Sequence, residues 1–304
     1  MTVIERYLVP QTLEEAAGIV AAENAIVLAG GTDLLPRWAK GLVRGSETVV
    51  DLKRIAGLKG VSRANGEVRV GACTLLSEIA SDAIIGATAP VLAEAADRVA
   101  CPQIRNRATV GGNLCNASPA ADTAVPLILL DATLELASWT PDALMVREVP
   151  IVDFFRGPGA TVLAPGEILT CIRFKPLPDV QRPRGLKSAA RLGVFTAWDK
   201  FGTRRAMEIA VASVGVALKV ENGTIVHARV GYGSVAPIPL RGRKAEAQLI
   251  GNPLSGEVIG KCEAAAREEI APITDVRASA AYRREVVGVM LRRMLERAGS
   301  DRQG

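Results

Sequence analysis

A mixed fold of helices and strands in two domains is what this sequence predicts, and three observations predict it. The chain has 304 residues, twice the ~150 of an ordinary domain. Apolar runs of strand length alternate with stretches of helical period through its first half. A proline-rich break, Lys175-Pro-Leu-Pro-Asp-Val-Gln-Arg-Pro-Arg184, then separates that half from a tail in which two strand patterns flank an Asn-Gly turn and helical patterns close the chain.

Taken in order, Thr12 and Glu15 form a capping box after Pro10, and Ala16, Ile19 and Val20 give the helix that follows its apolar face. Ala25 to Ala29 is a buried strand running into Gly30-Gly31-Thr32-Asp33, and Thr48 to Leu52 is a second. Gly60 to Gly71 reads as a hairpin about Asn65-Gly66. Ser77 to Ala100 is helical in two pieces, broken near Gly86 and Pro90. Residues 105–123 read as one long loop rich in Gly, Asn, Thr and Ser. Connections that long inside a compact domain are functional or disordered, and the tight apolar flanks here favour function. Thr133 to Ser138, Val146 to Ile151 and Ile168 to Phe174 continue the strands. Beyond the break, Glu208 to Val220 and Thr224 to Tyr232 pair about Asn222-Gly223, and helices follow near 241–250, 255–270 and 279–298. The last carries an apolar stripe of Val287, Leu291, Met294 and Leu295.

Composition narrows the function classes. Apolar residues make up 49% and charged residues 23% of the chain, ordinary for a globular protein. The formal charge of +5 is too mild to argue for nucleic acid, and 4% aromatic residues are too few for base-stacking platforms. His227 is the one histidine, which rules out HExxH zinc helices and multi-histidine metal or haem sites. A Ser-His-Asp triad would need that same imidazole, and no G-x-S-x-G elbow accompanies it. The five cysteines, Cys73, Cys101, Cys115, Cys171 and Cys262, include no C-x-x-C pair, so no iron–sulfur or zinc framework is expected, and their odd number opposes a disulfide scaffold. The first ten residues lack the runs of a signal peptide, and no segment approaches the ~18 apolar residues of a membrane span. A cytoplasmic protein is expected, with no nucleic acid, no membrane span and no metal of its own.

Two glycine-rich segments carry the chemistry. Leu28-Ala-Gly-Gly-Thr-Asp-Leu-Leu35 puts a double glycine at the end of a buried strand. Without a Cβ in the way, adjacent backbone N–H groups can converge on an anion, with the Thr32 hydroxyl as a further donor. Taken alone, the segment is equally a tight strand-to-helix turn. Residues 105–122 repeat the Gly-Gly pair among Thr109, Asn113, Asn116, Ser118 and Asp122. Two such loops in one domain point to a single extended, phosphate-bearing ligand between them. Gly231-Tyr-Gly-Ser-Val-Ala236 fits the dinucleotide fingerprint, but Pro237 and Pro239 forbid the helix that must follow. Gly256 to Lys261 is one residue short of a P-loop, with Cys262 where Ser or Thr should stand. His227 reads as a structural or exposed strand residue and Cys115 as a small packing residue. Arg283, Arg284, Arg292, Arg293 and Arg297 read as a solvated face of the last helix, on which a partner subunit could dock.

Together, AGGTDL at 29–34 and ATVGGNLCNASPAAD at 108–122 resemble the paired flavin-binding motifs of the FAD-binding (medium) subunit of molybdenum hydroxylases, the xanthine dehydrogenase and carbon monoxide dehydrogenase family. Three more segments fit in order: Pro165-Gly-Glu-Ile-Leu169, residues 200–210, and residues 275–284. The resemblance implies an α+β fold: a two-subdomain PCMH-type FAD-binding domain at 1–176, then a smaller domain of antiparallel strands and a helical bundle, of the CO dehydrogenase flavoprotein C-terminal type, at 185–298. It places Val27, Leu28, Ala29, Gly30, Gly31, Thr32, Asp33 and Leu34 along the FAD diphosphate and ribityl chain. Thr109, Gly112, Asn113, Asn116 and Asp122 would hold the other side, Ile168 and Leu169 would sit by the ring system, and Lys200 near its edge.

The resemblance further implies an oxidoreductase subunit with no catalytic side chains of its own. It would relay electrons from a small [2Fe–2S] subunit through FAD to NAD, a quinone or oxygen. A large subunit would hold the molybdopterin cofactor, in a dimer of heterotrimers. The direct run from Cys115 through Pro119 to Leu130 leaves no room for the cysteine-bearing [4Fe–4S] insertion of hydroxybenzoyl-CoA reductases. The FAD subunit of a reductive acyl-CoA reductase lacking that insertion stands as the alternative. From other classes, a stand-alone flavin oxidase of the vanillyl-alcohol fold is opposed by the short remainder beyond 176 and by motifs without histidine. A non-enzymatic assembly or regulatory protein of the same fold is opposed by the intact glycines.

Overall fold

The protein is described by a computed structural model covering residues 4–43, 48–140, 143–177, 193–204 and 207–300. It opens with a small parallel sheet in the order Arg6–Leu8, Thr48–Asp51, Ile26–Leu28. The helix Leu13–Glu23 covers it, burying Ala16, Ala17 and Val20 in a core shared with Val50, Leu52 and Ile55. Thr12 caps that helix by accepting from the Glu15 N–H at 3.2 Å. The Glu15 carboxylate reaches back one residue further than the capping box predicts, accepting the Gln11 N–H at 2.9 Å.

A five-stranded antiparallel sheet forms the second unit, in the order Val61–Ala64, Glu67–Gly71, Ile168–Phe174, Thr133–Trp139, Leu144–Pro150. Asn65 (φ 52°) and Gly66 (φ 78°) make the left-handed turn that an Asn-Gly hairpin requires. One face of the sheet packs on short helices through the largest core, with Leu76, Ile79, Leu92, Leu114 and Leu127 fully buried. The predicted helical stretch after Ser77 is three helices, Leu76–Ser81, Ala83–Thr88 and Pro90–Asp97. The first break falls at Asp82, whose side chain caps the second helix through the Ile85 N–H, and Gly86 sits inside that helix. Residues 105–123 are also more ordered than a loop: Thr109 caps a helix at Val110–Cys115, too short to betray itself by apolar period.

The last unit is a four-stranded antiparallel sheet, Phe195–Phe201, Ala212–Glu221, Thr224–Gly233 and Leu240–Arg241, backed by the helices Arg243–Leu249, Gly256–Glu269 and Ala280–Ser300. Asn222 and Gly223 again turn at positive φ. Val287, Leu291, Met294 and Leu295 form the buried stripe of the last helix. The strand Phe195–Phe201 escapes the periodicity, because six of its seven residues are apolar or inward-facing with little alternation. Residues 178–192, which hold most of the proline-rich break and the expected start of the second domain, lie outside the described residues, as do 205–206.

Arg283 corrects the reading of a solvated basic face. It is 3% exposed, and its guanidinium donates to the carbonyls of Val211 (2.6 Å) and Ser234 (2.9 Å) and to Asp275 (2.6 Å). The Arg277 backbone N–H and the Arg283 guanidinium hold the Asp275 carboxyl down to about 2. This tether therefore contributes stability that is present above the ordinary carboxylate range and lost as pH falls toward about 2.

An apolar seam joins the short helices of the first part to the last sheet: Val91, Ala95, Val125 and Leu129 pack on Trp198 and Ala217. The helix Ala124–Leu129 lies directly on three strand glycines. A Cβ on Gly215 would come within 2.9 Å of Leu129 and Val125, and one on Gly231 or Gly233 would also press on Val125. The glycines that mimic a dinucleotide fingerprint thus make room for a helix. Gly215→Val is expected to cost about 1–3 kcal/mol by overpacking, read as a lower urea midpoint.

Candidate functional site

A cleft of about 350 Å³ opens between the parallel sheet and the antiparallel unit. Its first wall is the loop after the strand Ile26–Leu28, from Ala29 to Asp33, which leads into the helix Leu34–Ala39. Gly31 has φ 73°, the left-handed region where a Cβ is strained. Gly30 is needed for a different reason. Its Cα faces the second loop so closely that a Cβ would run into the Arg107 carbonyl oxygen and come within 2.9 Å of the Ala108 Cα. Among the described residues, no acceptor takes the backbone N–H of Gly31, Thr32 or Asp33.

This loop is held from behind. The Lys53 ammonium donates to the Ala29 carbonyl at 3.2 Å and pairs with Asp51 at 2.8 Å, while the Tyr7 hydroxyl donates to the same carboxylate. Burial pushes the Asp51 carboxyl up, but the bonds from Lys53 and Tyr7 outweigh it and leave the group below its usual range. Lys53 and Tyr7 carry no motif, and nothing in the sequence marks them.

The second wall is the helix Val110–Cys115, and here the structure revises the picture of two equivalent glycine cradles. Its leading N–H groups are already committed: Val110 to the Thr74 carbonyl (3.1 Å), Gly111 to Ala72 (2.8 Å), Gly112 to the Thr109 hydroxyl (3.1 Å) and Asn113 to the Thr109 carbonyl (3.0 Å). Gly111 is a packing glycine, because a Cβ there would press on Ala72 at 2.7 Å. Gly112 faces the cleft, where an added Cβ would meet only the Thr109 Oγ1 at 3.0 Å. Asn113 accepts from the Thr123 hydroxyl at 2.6 Å, which fixes its amide and leaves its NH₂ uncommitted among the described residues. Asn116 lines the same wall.

The far end of the cleft is apolar. Ile168 and Leu169, both buried, begin the central strand of the antiparallel sheet, beside a bulge between Leu169 and Cys171. Cys73 and Cys115 also line this region, and burial pushes their thiols up to about 11 and about 12. They are protonated packing groups, not reactive thiolates. Arg37, paired with Asp33 at 3.5 Å, and Glu167, clamped by Arg147 at 2.6 Å, complete the lining and were not singled out from the sequence. Glu167 lies inside the segment Pro165-Gly-Glu-Ile-Leu169, whereas Arg37 carries no sequence signal.

Fourteen of the sixteen residues expected to bind cofactor line this cleft, and Asp122 and Lys200 do not. These two meet each other across 78 positions of sequence, Lys200 Nζ donating to Asp122 Oδ2 at 2.7 Å and to the Arg98 carbonyl at 2.8 Å. Asp122 Oδ1 is buried with no partner among the described residues. Among those residues, no three His, Cys, Asp or Glu converge as a metal site, and no helix is long and apolar enough to cross a membrane.

A cleft with backbone N–H groups along one loop that no described residue accepts, and with apolar residues elsewhere in its lining, suits a phosphate-bearing cofactor with an apolar part. Comparison with known proteins agrees. Residues 3–177 match the FAD binding domain in molybdopterin dehydrogenase, and residues 199–298 match the CO dehydrogenase flavoprotein C-terminal domain. The xanthine dehydrogenase FAD-binding subunit of Escherichia coli O157:H7 is 33% identical over 289 residues, 94% of this chain and 93% of that one. The carbon monoxide dehydrogenase medium chain of Afipia carboxidovorans is 33% identical over 291 residues, 95% and 94% of the two chains. The carbon monoxide dehydrogenase structure from Hydrogenophaga pseudoflava superposes with a TM-score of 0.86 at 31% identity, covering 96% of both chains. The chain belongs to the family of FAD-binding subunits of the xanthine and carbon monoxide dehydrogenase type, and it is an FAD-dependent oxidoreductase subunit.

Proposed function

We propose that this cleft holds FAD with its diphosphate against the open N–H groups of Gly31, Thr32 and Asp33, and its ring system against Ile168 and Leu169. Those open donors carry the reading: Gly31 and Thr32 are half-buried, and half-buried N–H groups without acceptors are rare in folded proteins. The residues fit the cofactor: the first loop supplies neutral donors for a diphosphate, so no arginine clamp is required. The bound flavin supplies exchange between one- and two-electron carriers. The chain's own side chains bind and orient it. Asn113 and Asn116 offer amides on the second wall, Lys53 fixes the first loop, and the Asp122–Lys200 pair sets a charged boundary beyond the apolar end.

In this reading the chain acts in the cytoplasm as the middle member of a heterotrimer, paired as a dimer of heterotrimers. Its flavin part is residues 1–176 and its C-terminal part residues 185–298. Electrons arrive from the [2Fe–2S] clusters of a small subunit, fed by a large molybdopterin subunit that oxidises the substrate, and leave to NAD, a quinone or oxygen. The family membership and the dehydrogenase names of its relatives support this order. The test is purification from the native host without forced separation of partners. Flavin absorption with broad iron–sulfur absorbance and two co-purifying subunits is expected. A chain that carries flavin but never co-purifies with an iron–sulfur protein would contradict the relay while leaving the cleft assignment intact.

A further inference from the structure

A second cavity, of about 540 Å³, lies where the helix Pro90–Asp97, the strand Phe195–Phe201 and the helix Ala280–Ser300 meet. The last helix turns Met290, Arg293, Met294 and Arg297 into it, the i, i+3, i+4, i+7 spacing of a single face. Neither Arg293 nor Arg297 has an ion-pair partner among the described residues. Arg297 stacks on the Phe195 ring at 5.7 Å. Arg98 enters from the other side, over the Trp198 ring at 5.0 Å and bonded to Asp199 at 2.6 Å. Lys200 lines the same space, already balanced by Asp122. Two guanidinium groups one helical turn apart, with no ion-pair partner among the described residues, repel each other; the acidic groups of the lining are Asp199, already paired with Arg98, and Glu94 on the opposite helix. Arg297 in the last turn answers the helix dipole. Arg293 stands a turn further in, where the dipole effect has faded.

We propose that this cavity is a second ligand site that takes a phosphate group, free or carried on a small molecule, with Arg293 and Arg297 as its anion-binding forks. The guanidinium fork matches oxyanions in pairs of parallel hydrogen bonds, and stacking on aromatic rings holds such forks in a fixed orientation. A single carboxylate would satisfy one fork, whereas a phosphate monoester carries nearly two charges and three acceptor oxygens. The volume suits a small organic molecule, and Met290, Met294 and Phe201 form an apolar wall for its body. The site borders the flavin cleft: Arg98 lines one cavity and its chain neighbour Val99 the other.

The test is calorimetric titration of the full, FAD-saturated chain with inorganic phosphate and, separately, with phenyl phosphate, at physiological ionic strength. Saturable binding is expected, weakened about tenfold or more in Arg293→Ala and less in Arg293→Lys, which keeps the charge and loses the fork. Arg293 is exposed and has no ion-pair partner among the described residues, so the variant should melt like the parent and keep its FAD. Tighter binding of phenyl phosphate assigns the apolar wall to an organic phosphate, and equal binding assigns the site to the free ion. Both support the proposal. No saturable binding of either probe, or unchanged binding in Arg293→Ala, overturns it.

Discussion

Lys200→Met is expected to destabilise the protein by about 3–5 kcal/mol, the usual penalty for stripping one partner from a buried ion pair. The ammonium and the Asp122 carboxylate are 2.7 Å apart, with 4% and 9% of their side chains exposed. The variant leaves Asp122 with both oxygens buried and unpaired, and leaves the Arg98 carbonyl without its donor. Asp122→Asn with Lys200→Met should recover much of the loss, because no charge is then stranded. The pH dependence follows from the carboxyl's environment. Burial pushes Asp122 up even with Lys200 beside it, and removing Lys200 can only push it further. The folded variant then binds a proton more readily than the unfolded chain does. The deficit should be full above the folded-state titration and shrink as pH falls through it. Urea melts of the three proteins across pH would show this, and a deficit independent of pH would contradict a stranded carboxylate.

Gly112→Val should abolish FAD binding, a loss of about a hundredfold or more in affinity, with little change in melting temperature. The added Cβ meets only the Thr109 hydroxyl and otherwise fills the cleft. Gly30→Val should lose FAD and stability together, since its Cβ collides with the backbone of Arg107 and Ala108 and forces the two loops apart. The contrast separates a glycine kept open for a ligand from one kept small for the protein. Flavin fluorescence titration beside thermal melts reads both quantities. A Gly112→Val chain that binds FAD as well as its parent would remove that residue from the site.

Much of this molecule is legible in the sequence because its local signals agree with its tertiary structure. Both Asn-Gly turns form where they are written, since few other dipeptides adopt two successive positive φ angles so readily. The stripe from Val287 to Leu295 is buried as its period requires. The loop at Gly30 and Gly31 falls on the cleft because a strand end and a double glycine together leave few alternatives. Signals fail where the cause is non-local. Nothing near Lys53 says that it will hold Ala29, 24 positions away. Asp122 and Lys200 sit in separate motifs, and only the fold makes them partners. Arg283 looked like one more surface arginine, yet three acceptors from distant turns bury it. The glycines at 111, 215, 231 and 233 look alike in sequence but serve packing, which only the neighbouring atoms reveal.

The measurement that bears most directly on the cleft is the FAD content of the wild-type chain, released by acid and quantified after reconstitution with excess cofactor and removal of the unbound fraction. One FAD per chain is expected, retained in Arg293→Ala and absent from Gly112→Val. A properly folded wild-type chain that retains no FAD would contradict the assignment of the cleft.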